Sequence, residues 1–129
     1  MSLLAPGSIT AAVFFLLSLA TGTWLFRLGR PVNVVVVTIH KLISLAAVIF
    51  TGLVVYRFAA AGRVSLAAWE AVLVTGLLFV ALFATGAILS SNKPIHPIVS
   101  AVHKIAPALT VIAAAVAVYL LAYPPSIGG

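Results

Sequence analysis

The segment 20-ATGTWLFRLGRPVNVVVVTIHK-41 recurs later in the chain as 84-ATGAILSSNKPIHPIVSAVHK-104, with one residue fewer. Both copies begin with Ala-Thr-Gly, continue with a basic residue followed by proline, and end with His-Lys. The two copies are offset by 64 residues at the Ala-Thr-Gly triplet and by 63 residues at His40 and His103. The pattern predicts an internal duplication with residues 1–63 and 64–129 as its halves.

The chain contains four long apolar runs, two in each half. We place them at about residues 8–27, 33–56, 66–89 and 98–122, each long enough for the roughly 20 residues of a membrane-crossing helix. With 129 residues, 64% of them hydrophobic and a mean hydropathy of +1.34, the chain has too little polar surface for a water-soluble protein. Since the joining segments are short, sequential helices should be antiparallel. The predicted fold is all-α, a single transmembrane domain that forms a four-helix antiparallel bundle from two duplicated helical hairpins.

The duplication relates the two hairpins by a pseudo-two-fold axis along the membrane normal. Helices 2 and 4 then run in the same direction at diagonal corners of the bundle, and His40 and His103 form a facing pair. Pro31 suits the first turn of helix 2, which puts His40 about 13 Å along that helix. A histidine at such depth usually faces the bundle interior and marks a functional site.

The residues around the two histidines are small or short. Ser44 and Thr110 lie on the same helical stripes as the histidines, and Gly22 and Gly86 fall at the same level on helices 1 and 3. Small residues in membrane helices often serve only close packing. Combined with two diagonal histidines, they favour clearance for a flat macrocycle, which predicts one haem b with His40 and His103 as its iron ligands.

Four further residues have predicted roles at this haem site. Thr21 and Thr85 are candidate hydrogen-bond partners for the second ring nitrogen of the histidines. Lys41 and Lys104 should point toward the first and third loops, where they would neutralise the haem propionates; the alternative is ordinary contact with lipid phosphates.

Composition excludes several classes of function. The absence of cysteine rules out disulfide chemistry, thiolate metal sites, iron–sulfur clusters and covalent c-type haem. The net charge of +6, with Glu70 as the only acid, indicates membrane anchoring and no nucleic-acid binding. Cations are more frequent on the side of the first and third loops, which predicts that those loops are cytoplasmic and that both termini lie outside a bacterial or archaeal cytoplasmic membrane.

Four apolar helices with histidines on helices 2 and 4 and no extramembrane domain resemble the membrane b-type cytochromes of the cytochrome b561 kind, over residues 18–122. The resemblance implies a haem protein in membrane lipid that exchanges electrons with quinol or quinone, superoxide or a partner redox protein, as an oxidoreductase or electron carrier. An oligomer is compatible with it. Members of that group commonly hold two haems. Only His96 remains here as a further ligand, and Asn33 stands at its counterpart, so we predict one haem.

Other interpretations stay open at the level of sequence. The histidines could titrate in a proton-coupled transporter or channel, or the repeat could belong to a non-catalytic membrane subunit. Glu70 is predicted to form a salt bridge at the membrane interface, with a role as proton acceptor as the alternative. His96 is either a solvated loop residue, a proton donor or a propionate partner.

Overall fold

The computed structural model describes residues 2–3, 5–62 and 64–126. These residues form four helices and no strand: α1 (Pro6–Leu28), α2 (Val34–Ala61), α3 (Leu66–Leu89) and α4 (Pro97–Ala122). The helices are 23 to 28 residues long, and all four are long and apolar enough to cross a membrane. The predicted all-α, four-helix membrane fold is confirmed.

The predicted bounds agree with the structure except at the end of α2. The prediction ended helix 2 at Tyr56, whereas the helix continues to Ala61. Arg57 interrupts the apolar run, but its long side chain can reach the polar edge while the helix continues. Phe58 is only 5% exposed, and the three alanines after it favour helix. Packing of Phe58 therefore extends α2 beyond its purely apolar segment.

The side chains that begin α2 and α4 occupy equivalent places in the duplication. Asn33 accepts a hydrogen bond from the Val36 N–H at 3.1 Å, and His96 Nδ1 accepts one from the Ile98 N–H at 3.2 Å. Both residues are N-caps, and they are 63 residues apart. His96 is thus an exposed helix cap.

The order of the helices around the bundle follows from two lysine contacts. Lys41 Nζ on α2 lies 3.0 Å from Ser90 Oγ at the end of α3, and Lys104 Nζ on α4 lies 4.8 Å from the centre of the Phe26 ring on α1. Ser90 is 64 residues beyond Phe26, so the two contacts are counterparts. The ring order is α1–α2–α3–α4, with α2 and α4 on one diagonal, and these two helices also pack directly against each other.

Burial follows the same offsets as the sequence repeat. The buried residues of α2 from Ala47 onward have buried counterparts in α4, each 63 residues later: Ala47, Thr51, Val54 and Phe58 correspond to Thr110, Ala114, Ala117 and Leu121. On the other diagonal, Ala11 and Thr75 are buried and 64 residues apart. Many of these residues are small, which allows close helix contact. The two hairpins therefore pack against each other through equivalent helix faces.

Phe15 and Phe79 mark the pseudo-two-fold axis. They are counterparts at the offset of 64, and their ring centres are 5.6 Å apart. A residue can contact its own counterpart only near the axis that relates the two copies. This aromatic pair joins α1 to α3 in the interior of the bundle.

The outer surface of the bundle is apolar. Large aliphatic and aromatic side chains are exposed along all four helices, among them Leu16, Ile49, Leu77 and Ile112. In a bilayer these side chains contact lipid. The buried hydroxyl of Thr51 donates to the carbonyl four residues earlier, so this hydroxyl is itself hydrogen-bonded in the apolar interior.

Candidate cofactor site

The four helices surround a cavity of about 640 Å³ between the aromatic pair and the first and third loops. Its volume lies within the range of about 300–1,000 Å³ that is usual for small-molecule sites. Phe15 and Phe79 line the deep end, and Gly29 and Arg30 line the loop end. Most lining residues occur as counterparts, including the pairs Gly22/Gly86, His40/His103 and Lys41/Lys104. The cavity therefore has approximate two-fold symmetry.

The two histidines occupy the same depth on their helices. His40 is six residues beyond Val34 at the start of α2, and His103 is six residues beyond Pro97 at the start of α4. Six residues correspond to about 9 Å of helix. The imidazoles are therefore closer to the loop end than the predicted 13 Å, because α2 begins three residues after Pro31. Both are half-buried and line the cavity from opposite diagonal helices.

Each imidazole is held by a threonine of the neighbouring helix in its own hairpin. Thr21 Oγ1 lies 2.9 Å from His40 Nδ1, and Thr85 Oγ1 lies 2.7 Å from His103 Nδ1. The same hydroxyls donate to the carbonyls of Leu17 at 2.9 Å and of Ala81 at 2.7 Å. The predicted contacts of Thr21 and Thr85 with the histidines are thus present.

These contacts indicate which ring nitrogen carries the hydrogen. A hydroxyl has one hydrogen, and a carbonyl can only accept it. When Thr21 and Thr85 donate to the carbonyls, they must accept from the imidazoles, so Nδ1 carries the hydrogen and Nε2 has the free lone pair. This tautomer is deduced from the hydrogen-bond network. Within the described chain, neither Nε2 atom of His40 or His103 has a hydrogen-bond partner.

An imidazole fixed through Nδ1 with a free Nε2 is the usual form of a metal ligand. A bare metal ion would need more protein ligands than two, and the described residues contain no cluster of three or more His, Cys, Asp or Glu side chains. A metal that arrives in a four-nitrogen macrocycle needs only two further ligands. The donor set of this cavity therefore fits a metalloporphyrin better than a bare ion.

Gly22 and Gly86 make room for the imidazoles themselves. A Cβ atom placed on Gly22 would lie 3.1 Å from His40 Cε1, and one on Gly86 would lie 3.1 Å from His103 Cε1. The sequence predicted these glycines as clearance for a macrocycle. Their first effect is to let the Cε1 edge of each histidine ring approach the neighbouring helix closely, although both glycines also line the cavity.

Replacement of Gly22 by alanine is expected to displace the His40 ring and to lower stability. Overpacking of this kind costs roughly 1–3 kcal/mol in a well-packed interior. Gly76→Ala is the matched control, because nothing lies within 4 Å of a Cβ atom at that position of α3. Thermal unfolding in detergent, followed by circular dichroism, should show a lower midpoint for Gly22→Ala and an equal or higher one for Gly76→Ala. Equal midpoints for both variants would contradict the assigned role of Gly22.

The loop end of the cavity is positively charged. Lys41 and Lys104 line it, and neither forms an ion pair among the described residues. Arg30 is already bound, because its guanidinium donates to the carbonyl of Leu89 at the end of α3 and to those of Ser91 and Lys93 in the loop that follows. The sole acid of the chain, Glu70, lies in the first turns of α3 at the opposite end of the bundle. An anionic group at this rim would meet two lysines and no carboxylate.

The described residues include no salt bridge of Glu70 with Arg57, and Arg63, the other predicted partner, lies outside the described residues. The proposed salt bridge of Glu70 therefore stays a prediction.

The two remaining predicted site residues differ in position. Ser44 lines the cavity one turn beyond His40, and its hydroxyl is 2.6 Å from that of Ser18. Thr110 is fully buried outside the cavity lining, where it donates to the Ala106 carbonyl. Ser18 was not predicted. Its place on the helical face of α1 that carries Gly22, four residues later, was the signal that could have identified it.

No protein family, curated protein or solved structure matched this chain when its sequence and fold were compared with known proteins. The resemblance to the cytochrome b561 kind stays a prediction from the sequence.

Proposed function

We propose that this protein is a membrane b-type cytochrome that binds one haem b through His40 and His103 and transfers electrons. One observation carries the proposal. Two imidazoles on diagonal helices line a single cavity, and each is fixed at Nδ1 by a threonine so that its Nε2 lone pair is free. The pair would supply the two further nitrogen ligands that a porphyrin-bound iron needs.

The cavity agrees with haem b in volume, polarity and charge. Its lining is mostly aliphatic and aromatic, which suits the porphyrin, and its volume of about 640 Å³ lies within the usual range of small-molecule and cofactor sites. The two carboxylates of haem b would lie at the loop end near Lys41 and Lys104. We propose one haem per chain because only two histidines line the cavity. The third histidine, His96, caps α4, and its counterpart in the first hairpin is Asn33, which could not pair with it as a second iron ligand.

When bound, haem b supplies a reversible one-electron couple between ferric and ferrous iron. The residues of the chain would hold and tune it. His40 and His103 would bind the iron, and Thr21 and Thr85 would orient their rings. Phe15 and Phe79 would close the deep end against water, while positive charge at the rim would favour the reduced, less positive centre and raise the potential.

The residues that line the cavity bear on the class of partner. No carboxylate lines it, and both Nδ1 atoms of the histidines are engaged. We therefore assign outer-sphere electron transfer, with superoxide, a redox protein or a quinol as the partner. Superoxide gives up its electron without a proton, whereas a quinol would have to release its two protons outside this cavity and pass its two electrons one at a time. Since the haem would lie near the first and third loops, we place it on the cytoplasmic side of a bacterial or archaeal membrane, with both termini outside.

A visible spectrum tests this proposal directly. The protein is purified in mild detergent from cells supplied with a haem precursor, and a reduced-minus-oxidised spectrum is recorded together with a pyridine haemochrome assay. We expect the sharp α and Soret bands of a six-coordinate bis-imidazole haem and one haem b per chain. A folded but colourless protein that also fails to take up added haem contradicts the proposal and leaves the transporter or structural-subunit interpretations.

A further inference from the structure

The cavity departs from two-fold symmetry at several positions, such as Phe26 and Ser90 near the loops, and two of the differing pairs lie toward the deep end. Ser18 on α1 corresponds to Leu82 on α3, and Ser44 on α2 corresponds to Pro107 on α4. The two serine hydroxyls are hydrogen-bonded to each other at 2.6 Å, and their counterparts are a leucine and a proline ring. The first hairpin thus offers a small polar corner where the second offers a larger apolar one.

A symmetric cavity does not distinguish two orientations of an asymmetric ligand. Turning the ligand by 180° about the pseudo-two-fold axis exchanges His40 with His103 and Lys41 with Lys104, and these counterparts are identical. The turn changes only the contacts at positions where the two halves differ. Haem b is such a ligand. Its two propionates are alike, but along the opposite edge a vinyl group and a methyl group exchange places when it is turned.

We propose that the Ser18–Ser44 pair selects one orientation of haem b; this inference rests on the proposed function. In that orientation, the vinyl group on the haem edge opposite the propionates would lie on the α1 side. The α1 wall has more room at this depth, because Ser18 is smaller than Leu82. At the next position that lines the cavity, the residue on α1 is again smaller than its counterpart on α3: Leu19 corresponds to Phe83. A difference of about one methylene in a pocket discriminates between ligands roughly 10–200-fold, so one orientation should predominate by about tenfold or more.

Proton NMR of the oxidised protein in detergent reports the ratio of orientations. Each orientation of low-spin ferric haem gives its own set of shifted methyl resonances, and integration gives the two populations. The wild-type protein should show one dominant set. The double variant Leu82→Ser with Pro107→Ser copies the serine pair into the second hairpin. In this variant the population of the minor set of resonances should rise toward that of the major set. Leu77→Ser, the same change on the lipid-facing side of α3, should leave the wild-type ratio unchanged.

Two further measurements keep the result interpretable. Ser18→Leu makes the α1 wall resemble the α3 wall, so it should also raise the minor set if the double variant fails to fold. An iron porphyrin whose substituents are symmetric about the same axis should give one set in every variant.

Failure of this inference and failure of the proposed function give different experimental results. Equal populations in wild type, or an unchanged ratio in the cavity variants, contradicts the orientation role while the bis-imidazole spectrum remains. A protein that takes up no haem contradicts the proposed function and this inference together.

Discussion

Replacement of either His40 or His103 by alanine is expected to abolish stable haem binding. The remaining imidazole would hold the iron from one side only, because no further histidine is among the residues that line the cavity. Loss of a ligand has a larger effect than loss of its hydrogen-bond partner, which itself costs about 10–100-fold in affinity. The haem content per chain after purification should fall to a small fraction of that of wild type, and the bis-imidazole bands should disappear.

His96→Asn is the matched control for these two variants. His96 is the third histidine of the chain, and asparagine is the residue that caps the equivalent helix at position 33. The change removes an imidazole near the same loops but keeps a side chain that can cap α4. Haem content and spectrum should be those of wild type. If His96→Asn lost haem, or if both alanine variants kept the bis-imidazole bands, His40 and His103 would not be the ligands.

The internal repeat explains why much of this site could be predicted from sequence. The repeat identifies His40 and His103 as counterparts, and helical geometry then places them on diagonal helices that run in the same direction. The same reasoning located Thr21 and Thr85 beside the rings. All of these residues are identical in both copies, so a comparison of the two halves reveals them.

Residues that differ between the halves were harder to assign. Ser18 has Leu82 as its counterpart, so the repeat gave no signal there. Thr110 lies on the stripe of His103, but it is buried outside the cavity lining. Helical periodicity gives the face of a residue and does not give the distance to the facing helix. Close approach through small residues such as the fully buried Ala117 decides which part of a stripe is packed and which part lines a cavity.

The double replacement of Thr21 and Thr85 by valine is expected to weaken haem binding by about 10–100-fold and to raise the midpoint potential. Valine keeps the shape of threonine but removes the hydroxyl that accepts from Nδ1. Each imidazole then loses its fixed tautomer and becomes a poorer electron donor, so the ferric state is stabilised less. The rate of haem transfer to an excess of apomyoglobin gives the change in affinity, and a potentiometric titration gives the potential.

Thr38→Val is the control for the hydroxyl change, because Thr38 lies exposed on α2 and donates only to the Val34 carbonyl. It should leave both quantities unchanged. Serine at positions 21 and 85 keeps the hydroxyl and should restore most of the affinity. An unchanged transfer rate and potential in the double valine variant would mean that the threonines only support local packing. A loss in valine with recovery in serine would show that the hydroxyls orient the ligands, which is the effect expected if the duplicated Ala-Thr-Gly segment exists to hold the histidines.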